Sequence, residues 1–190
     1  MICKDKYESE RFVLSHRCPA VLMGGYLRDL ILDRPWKDID LFVAVSETQM
    51  VNHRTTGVYA MEWASGIYKS VVTNWKIISD VKYDSAFAVF ACDALPGVQL
   101  ILYTKHYNTL DSQYEIALSY MNYEFPCSLS KVAMALYVEP RERWFYLSSA
   151  FEWSVRQRAL EFSAGCSQEY RDRMASYFPD YTDKPDFPYP

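Results

Sequence analysis

Gly24-Gly25-Tyr26-Leu27-Arg28-Asp29-Leu30-Ile31-Leu32-Asp33-Arg34-Pro35-Trp36-Lys37-Asp38-Ile39-Asp40 is the stretch on which the fold turns. Ahead of it, the short apolar run Cys18-Pro19-Ala20-Val21-Leu22-Met23 halts at the glycine pair. Behind the pair, Leu27, Leu30 and Ile31 fall at the i, i+3, i+4 spacing of a helix face. This reads as strand, glycine turn, helix. Pro35 biases Arg34 out of the helical region and ends that helix. From there Ile39, Leu41, Val43 and Val45 alternate with Asp38, Asp40, Phe42 and Ala44, the period of a strand, so Asp38 and Asp40 share one of its faces.

Outward from this unit, strands are expected at Gly66 to Val72, Trp75 to Val81 and Ala86 to Phe90. Pro96-Gly97 marks a turn into a further strand, Val98-Gln99-Leu100-Ile101-Leu102-Tyr103. Ser112 to Tyr120 is weakly helical, Asn122 to Cys127 is expected to be a short strand, and Ser148 to Ala164 a helix stopped near Gly165. Tyr177 to Pro190 is rich in proline, charge and aromatic rings, which predicts an extended tail, pinned by its rings or disordered. The fold class is α+β: a small mixed sheet flanked by helices, with a C-terminal helix and a Pro/aromatic tail. One domain is expected over 1–176, with its core at about 18–136, a helical part at about 144–176, and the tail at 177–190. No internal repeat is present.

The chemistry concentrates at Asp38-Ile39-Asp40. Two carboxylates on one strand face repel each other, which raises a pKa unless a cation lies between them. Carboxylate oxygens are hard ligands suited to Mg2+ or Mn2+, ions that keep waters and accept further oxygens from substrate phosphates. A nucleoside triphosphate is the natural partner. Gly24 and Gly25 let the backbone approach phosphate oxygens, and Arg28, in the first turn of the helix, offers a bidentate contact. A lone Asp-x-Asp is commonly a solvated strand edge and a lone Gly-Gly a plain turn. What separates this chain from those cases is the order of glycine pair, helix, proline loop and carboxylate strand.

Read without a gap, Gly24 to Asp40 resembles the head-domain signature of class II CCA-adding enzymes and bacterial poly(A) polymerases, within the polymerase-beta-like nucleotidyltransferases. The resemblance implies a minimal nucleotidyltransferase fold, Asp38 and Asp40 as ligands of catalytic magnesium ions, and Gly24, Gly25 and Arg28 near the triphosphate. Asp29 corresponds to a helix carboxylate expected to brace the site. A looser similarity of element order continues to about Leu136. Three departures stand out. Asp33 replaces the usual glycine after the helix, and it tolerates left-handed geometry better than most residues. The third carboxylate that the superfamily places on a neighbouring strand is not evident: the candidate strand carries Gln99, and Glu124 in Tyr123-Glu124-Phe125 is the alternative if its strand lies beside the pair. Finally, 190 residues leave no room for the neck, body and tail domains of tRNA-specific members, and no Glu-Asp-x-x-Arg base-selecting motif occurs.

Composition bounds the rest. Twenty basic residues against twenty-four acidic ones, net charge -4, argue against a protein that coats nucleic acid through phosphates, though a local basic site remains open. The five cysteines are odd in number and scattered, and His16, His53 and His106 lie far apart, which excludes a sequence-recognisable zinc site and fits a reduced, cytoplasmic compartment. A charged N-terminus and an apolar run no longer than Ala86 to Cys92 disfavour secretion and membrane insertion. Arg141, Arg143, Arg156, Arg158, Arg171 and Arg173, interleaved with Trp144, Tyr146, Trp153 and Tyr170, offer cations and stacking faces, but neighbouring acids favour a salt-bridged helical surface. Cys92 and Cys127 read as buried small residues, and His106 as a surface loop residue.

The leading expectation is therefore an enzyme that moves a nucleoside monophosphate from an NTP to an acceptor hydroxyl. The resemblance makes an RNA or tRNA 3′ end the first acceptor. The rival from another class is a degenerate nucleotidyltransferase fold that binds nucleotide, RNA or a protein partner, with Gln99 as its motive. A third is an interaction module acting through the tail.

Overall fold

A computed structural model describes residues 2–15, 20–45, 75–79, 86–104, 113–136 and 145–184. The expected strand at Gly66 to Val72, the three histidines and the last six residues lie outside them. Along the chain come α1 (Lys6–Ser15), β1 (Val21–Met23), α2 (Gly25–Ile31), β2 (Ile39–Val45), β3 (Trp75–Ser79), β4 (Ala86–Cys92) and β5 (Val98–Thr104). They are followed by α3 (Gln113–Glu124), a 3-10 turn (Ser128–Ser130), β6 (Val132–Ala135), β7 (Phe145–Leu147), α4 (Ser149–Gln157), β8 (Ala159–Leu160), α5 (Gln168–Tyr177) and β9 (Thr182–Asp183).

Seven strands make one sheet in the order β3-β4-β5-β2-β1-β6-β7, with β8 and β9 paired separately. Within the large sheet β2 and β5 run parallel and the other described pairs antiparallel, so the sheet is mixed as expected. The register of the parallel pair matters most, because it sets Asp40 opposite Gln99. Strand alternation sorts β2 between two apolar clusters. Ile39, Leu41 and Val43 enter the larger one with Leu22, Leu27, Leu100 and Phe151. Phe42 enters the smaller one with Val21, Met23, Tyr103 and Met121. By the same alternation Asp40 shares the face of Phe42, at the end of the strand where apolar cover stops.

Helix α2 is held at both ends by backbone that sequence reading had singled out. Gly24 takes φ 79° and ψ −128°, outside the range of L residues, and an added Cβ would lie 3.0 Å from Phe125 Cε2. Its N–H donates to Val132 O at 3.0 Å, tying the turn to β6. At the other end Asp33, standing where a glycine is usual, adopts φ 50°.

Two expectations are corrected. Asn122 to Cys127 is not a strand: α3 continues to Glu124, and Cys127 makes only an isolated bridge to Phe162. The helix from Ser148 to Ala164 is shorter. Ser148 caps it by accepting from Phe151 N at 3.0 Å, but it ends at Arg158 in the left-handed conformation, and residues 159–160 leave as β8. The chain then forms a second helix, α5, capped by Ser167, whose hydroxyl accepts from Tyr170 N. The segment after it is pinned by a ring: Phe178 is fully buried, and β9 pairs with β8.

Candidate active site

Asp38, one residue ahead of β2, and Asp40, at its second position, open into one cavity of about 460 Å3. Gly24, Gly25, Arg28 and Asp29 form a second side, Phe42, Phe125, Pro126 and Ser130 a third, and Tyr170, Arg173, Met174 and Tyr177 of α5 the fourth. That volume lies in the range of small-molecule sites. The glycine turn, the carboxylate pair and Arg28 are thus brought together as the order of the sequence implied.

The two carboxylates oppose each other electrostatically. Burial first, and the neighbouring Asp38 second, push the Asp40 carboxyl from 3.8 up to about 7, against a smaller opposing pull from Lys37. Asp38 is less enclosed, its side chain 28% exposed, and its Oδ2 lies 3.7 Å from the Lys37 ammonium and accepts from Gln99 Nε2 at 3.4 Å. Lys37 itself is solvated, so that contact compensates little of the pair's repulsion.

Arg28 is arranged differently from the sequence expectation. It lines the cavity, but its bidentate edge is occupied by Asp29: Nε to Oδ1 at 2.7 Å and Nη2 to Oδ2 at 3.0 Å, both side chains buried. Nη1 points to Met174 Sδ at 3.8 Å, and the guanidinium lies 5.0 Å from the Phe178 ring centre. Asp29 therefore orients Arg28 and lies among the cavity residues without joining the Asp38–Asp40 pair.

Gln99 sits beside the carboxylates, opposite Asp40 and touching Asp38. Glu124, the alternative third ligand, is the exposed last residue of α3 and does not line the cavity, because its segment is helical rather than a strand beside β2. Among the described residues no group of three or more His, Cys, Asp or Glu is placed to hold a metal. The cavity side that sequence reading missed is α5. Its signal was present in Ser167 as a cap and in the aromatic and arginine residues of 170–177. Of those arginines, Arg171 lies 3.9 Å from Asp183 as the salt-bridged reading had it, whereas Arg173 stacks over Tyr170 at 4.8 Å and faces the cavity. Cys92 and Cys127 are buried as expected, and burial pushes the Cys127 thiol up to about 12.

No protein-family model matches the chain, and no curated protein matches it in sequence. Solved structures do. The Thermotoga maritima CCA-adding enzyme complexed with tRNA superposes with a TM-score of 0.53 and 16% identity, over 87% of this chain and 35% of that one. The chain shares the fold of that enzyme over most of its length. A tRNA-processing enzyme in an apo form matches with a TM-score of 0.51 and 11% identity, over 97% of this chain and 46% of that one. The chain therefore spans between about a third and a half of the enzymes it resembles. At such identities the likeness is one of fold alone. No helix among the described residues is long and apolar enough to cross a membrane.

Proposed function

We propose that this protein is a nucleotidyltransferase that transfers a nucleoside monophosphate from an NTP to an acceptor hydroxyl, with an RNA 3′ end such as that of tRNA as the acceptor. The observation that carries this reading is the opening of Asp38 and Asp40 into the cavity bounded by Gly24 and Gly25, with the Asp40 carboxyl raised to about 7 by burial and by the neighbouring Asp38.

The donor set fits Mg2+ or Mn2+, since such an ion needs only one or two protein carboxylates and completes its shell with water and substrate phosphate. Bound there, it would neutralise phosphate charge and activate the acceptor hydroxyl for attack at the α-phosphorus, with pyrophosphate leaving. The chain's own contribution is position and field. Asp38 and Asp40 fix the acceptor side. Gly24 and Gly25 admit phosphate oxygens to the backbone. Tyr170 and Tyr177 offer rings to a base, and Arg173 a cation.

A second reading is favoured by Gln99, an amide on the strand next to the carboxylates: a fold that binds nucleotide or RNA while transfer has been lost. Incubating the protein with tRNA and each of four α-labelled NTPs, with and without Mg2+ or Mn2+, tests the first reading. Label at the RNA 3′ end that disappears in Asp38→Asn and Asp40→Asn is expected. Absence of labelled RNA, protein or small molecule under every condition removes the enzymatic reading. Nucleotide binding without transfer, with transfer restored in Gln99→Asp, selects the second.

A further inference from the structure

The fourth side of the cavity buries few of its own side chains. From Ser163 to Lys184 only Met174 and Phe178 are buried, and every other residue is partly or fully exposed. Short backbone bonds fix its two ends, Ser163 N to Pro126 O at 2.9 Å, Thr182 N to Arg158 O at 2.9 Å and Lys184 N to Leu160 O at 3.0 Å, whereas the side-chain polar ties between them are long. Tyr170 and Ser130 hydroxyls are 3.5 Å apart, and Arg34 lies 3.9 Å from Asp180. The β8–β9 ladder is two residues long. Segments with few buried apolar contacts open at low free energy, and Met174 and Phe178 are the buried side chains that hold α5 down, with partly buried Tyr170 and Tyr181 packed beside them.

Those anchors converge on the residue that also lines the cavity. The Phe178 ring receives the Arg28 guanidinium at 5.0 Å and that of Arg34 at 4.5 Å, and Met174 Sδ accepts from Arg28 Nη1. Arg28 is held on its other edge by Asp29. One side chain is thus shared between the glycine side of the cavity and the anchor of the α5 side.

We propose that Phe178 is a positioning residue for the nucleotide: by seating Arg28 and Arg34 on its ring it docks residues 168–184, and nucleotide binding and docking of that segment are mutually coupled. This rests on the reading of the cavity as a nucleotide site. A ligand that touches both the glycine turn and α5 binds the docked state more tightly, and by reciprocity it holds the segment down. Phe178 does not line the cavity, so its effect passes through Arg28 and the seating of Tyr170, Arg173 and Tyr177.

Hydrogen exchange on the full chain, with each of the four NTPs in turn and Mg2+, tests this without any substitution. Amides of 168–184 should exchange several-fold more slowly with a bound NTP. Phe178→Leu, which retains apolar volume but not the ring, should weaken NTP binding on the order of tenfold, the scale of desolvated cation–ring contacts, and Phe178→Tyr, which keeps the ring in nearly the same volume, should retain most of the affinity. If an NTP binds, by thermal shift, while exchange of 168–184 stays unchanged, or if Phe178→Leu binds as the parent does, the coupling is refuted and the nucleotide site stands. If none of the four NTPs binds, the functional reading falls and this inference with it.

Discussion

Asp40→Asn should stabilise the protein at neutral pH while abolishing the proposed nucleotidyl transfer. Folding raises the Asp40 pKa from 3.8 to about 7, chiefly by burial and then by Asp38. Between those values the folded chain keeps a proton that the unfolded chain has released, so this group's contribution to stability is fully present below 3.8 and is lost as pH rises through 7. The gap amounts to about 4 kcal/mol at pH 8, an upper bound that solvent reaching the partly exposed side chain reduces. Asparagine has nearly the same volume and never ionises. At pH 8 the variant should be more stable by about 2–4 kcal/mol, roughly 4–16 °C in Tm for a chain of this size, and the difference should vanish near pH 4. Urea or thermal unfolding of both proteins across that range, with chelator present, measures it. Millimolar Mg2+ should then raise the Tm of the parent and leave the variant where it is. A variant less stable than the parent at pH 8, or one with the parent's pH slope, would refute the reasoning and make the pair a structural feature.

Gly24→Ala combines a backbone φ of 79° with a Cβ 3.0 Å from the Phe125 ring, and should cost about 1–3 kcal/mol in chemical denaturation, whereas Gly25→Ala, whose Cβ meets only Arg28 Nη2 at 3.6 Å, should cost little. Arg28→Ala leaves a buried Asp29 carboxylate unpaired and should destabilise by about 3–5 kcal/mol, with a double-mutant cycle against Asp29→Ala showing strong coupling. Any loss of NTP affinity in Arg28→Ala must therefore be read beside its Tm. Arg173, exposed and making no ion pair among the described residues, should tolerate alanine with an unchanged Tm while NTP binding weakens, measured by titration calorimetry.

The central unit was legible because several independent signals coincide within a few residues. Val21 to Met23, the glycine pair, the apolar spacing of α2 and the alternation of β2 each report their own element, and even the left-handed Asp33 follows from the amino-acid type. The site's carboxylates were legible for the same reason, since strand period alone aligns Asp38 with Asp40. Gln99 was found beside them because its strand was recognised, although the parallel register opposite Asp40 is a tertiary fact. The C-terminal part was less legible for physical reasons. Helix α4 stops at Arg158 in a conformation normally marked by glycine, so nothing in the sequence announces its end. Helix α5 buries only Met174, too sparse a face for periodicity to report, and its place against the cavity depends on Phe178, ten residues beyond Gln168. Glu124 was misplaced because the aromatic, β-prone Tyr123 and Phe125 around it read as strand, while packing extends α3 through it. Arg28 faced two acceptors, phosphate or a neighbouring carboxylate, and sequence could not choose between them.

The claim on which all else rests is that Asp38 and Asp40 hold a divalent cation together with a nucleoside triphosphate. Titration of Mn2+ followed by electron paramagnetic resonance, with a non-hydrolysable NTP present, measures that directly as the loss of free-ion signal. Stoichiometric Mn2+ uptake by the parent, greatly weakened in both Asp38→Asn and Asp40→Asn although each remains folded, is the predicted result. Equal uptake by all three proteins, or none by the parent, would contradict the assignment of this cavity as a metal–nucleotide site.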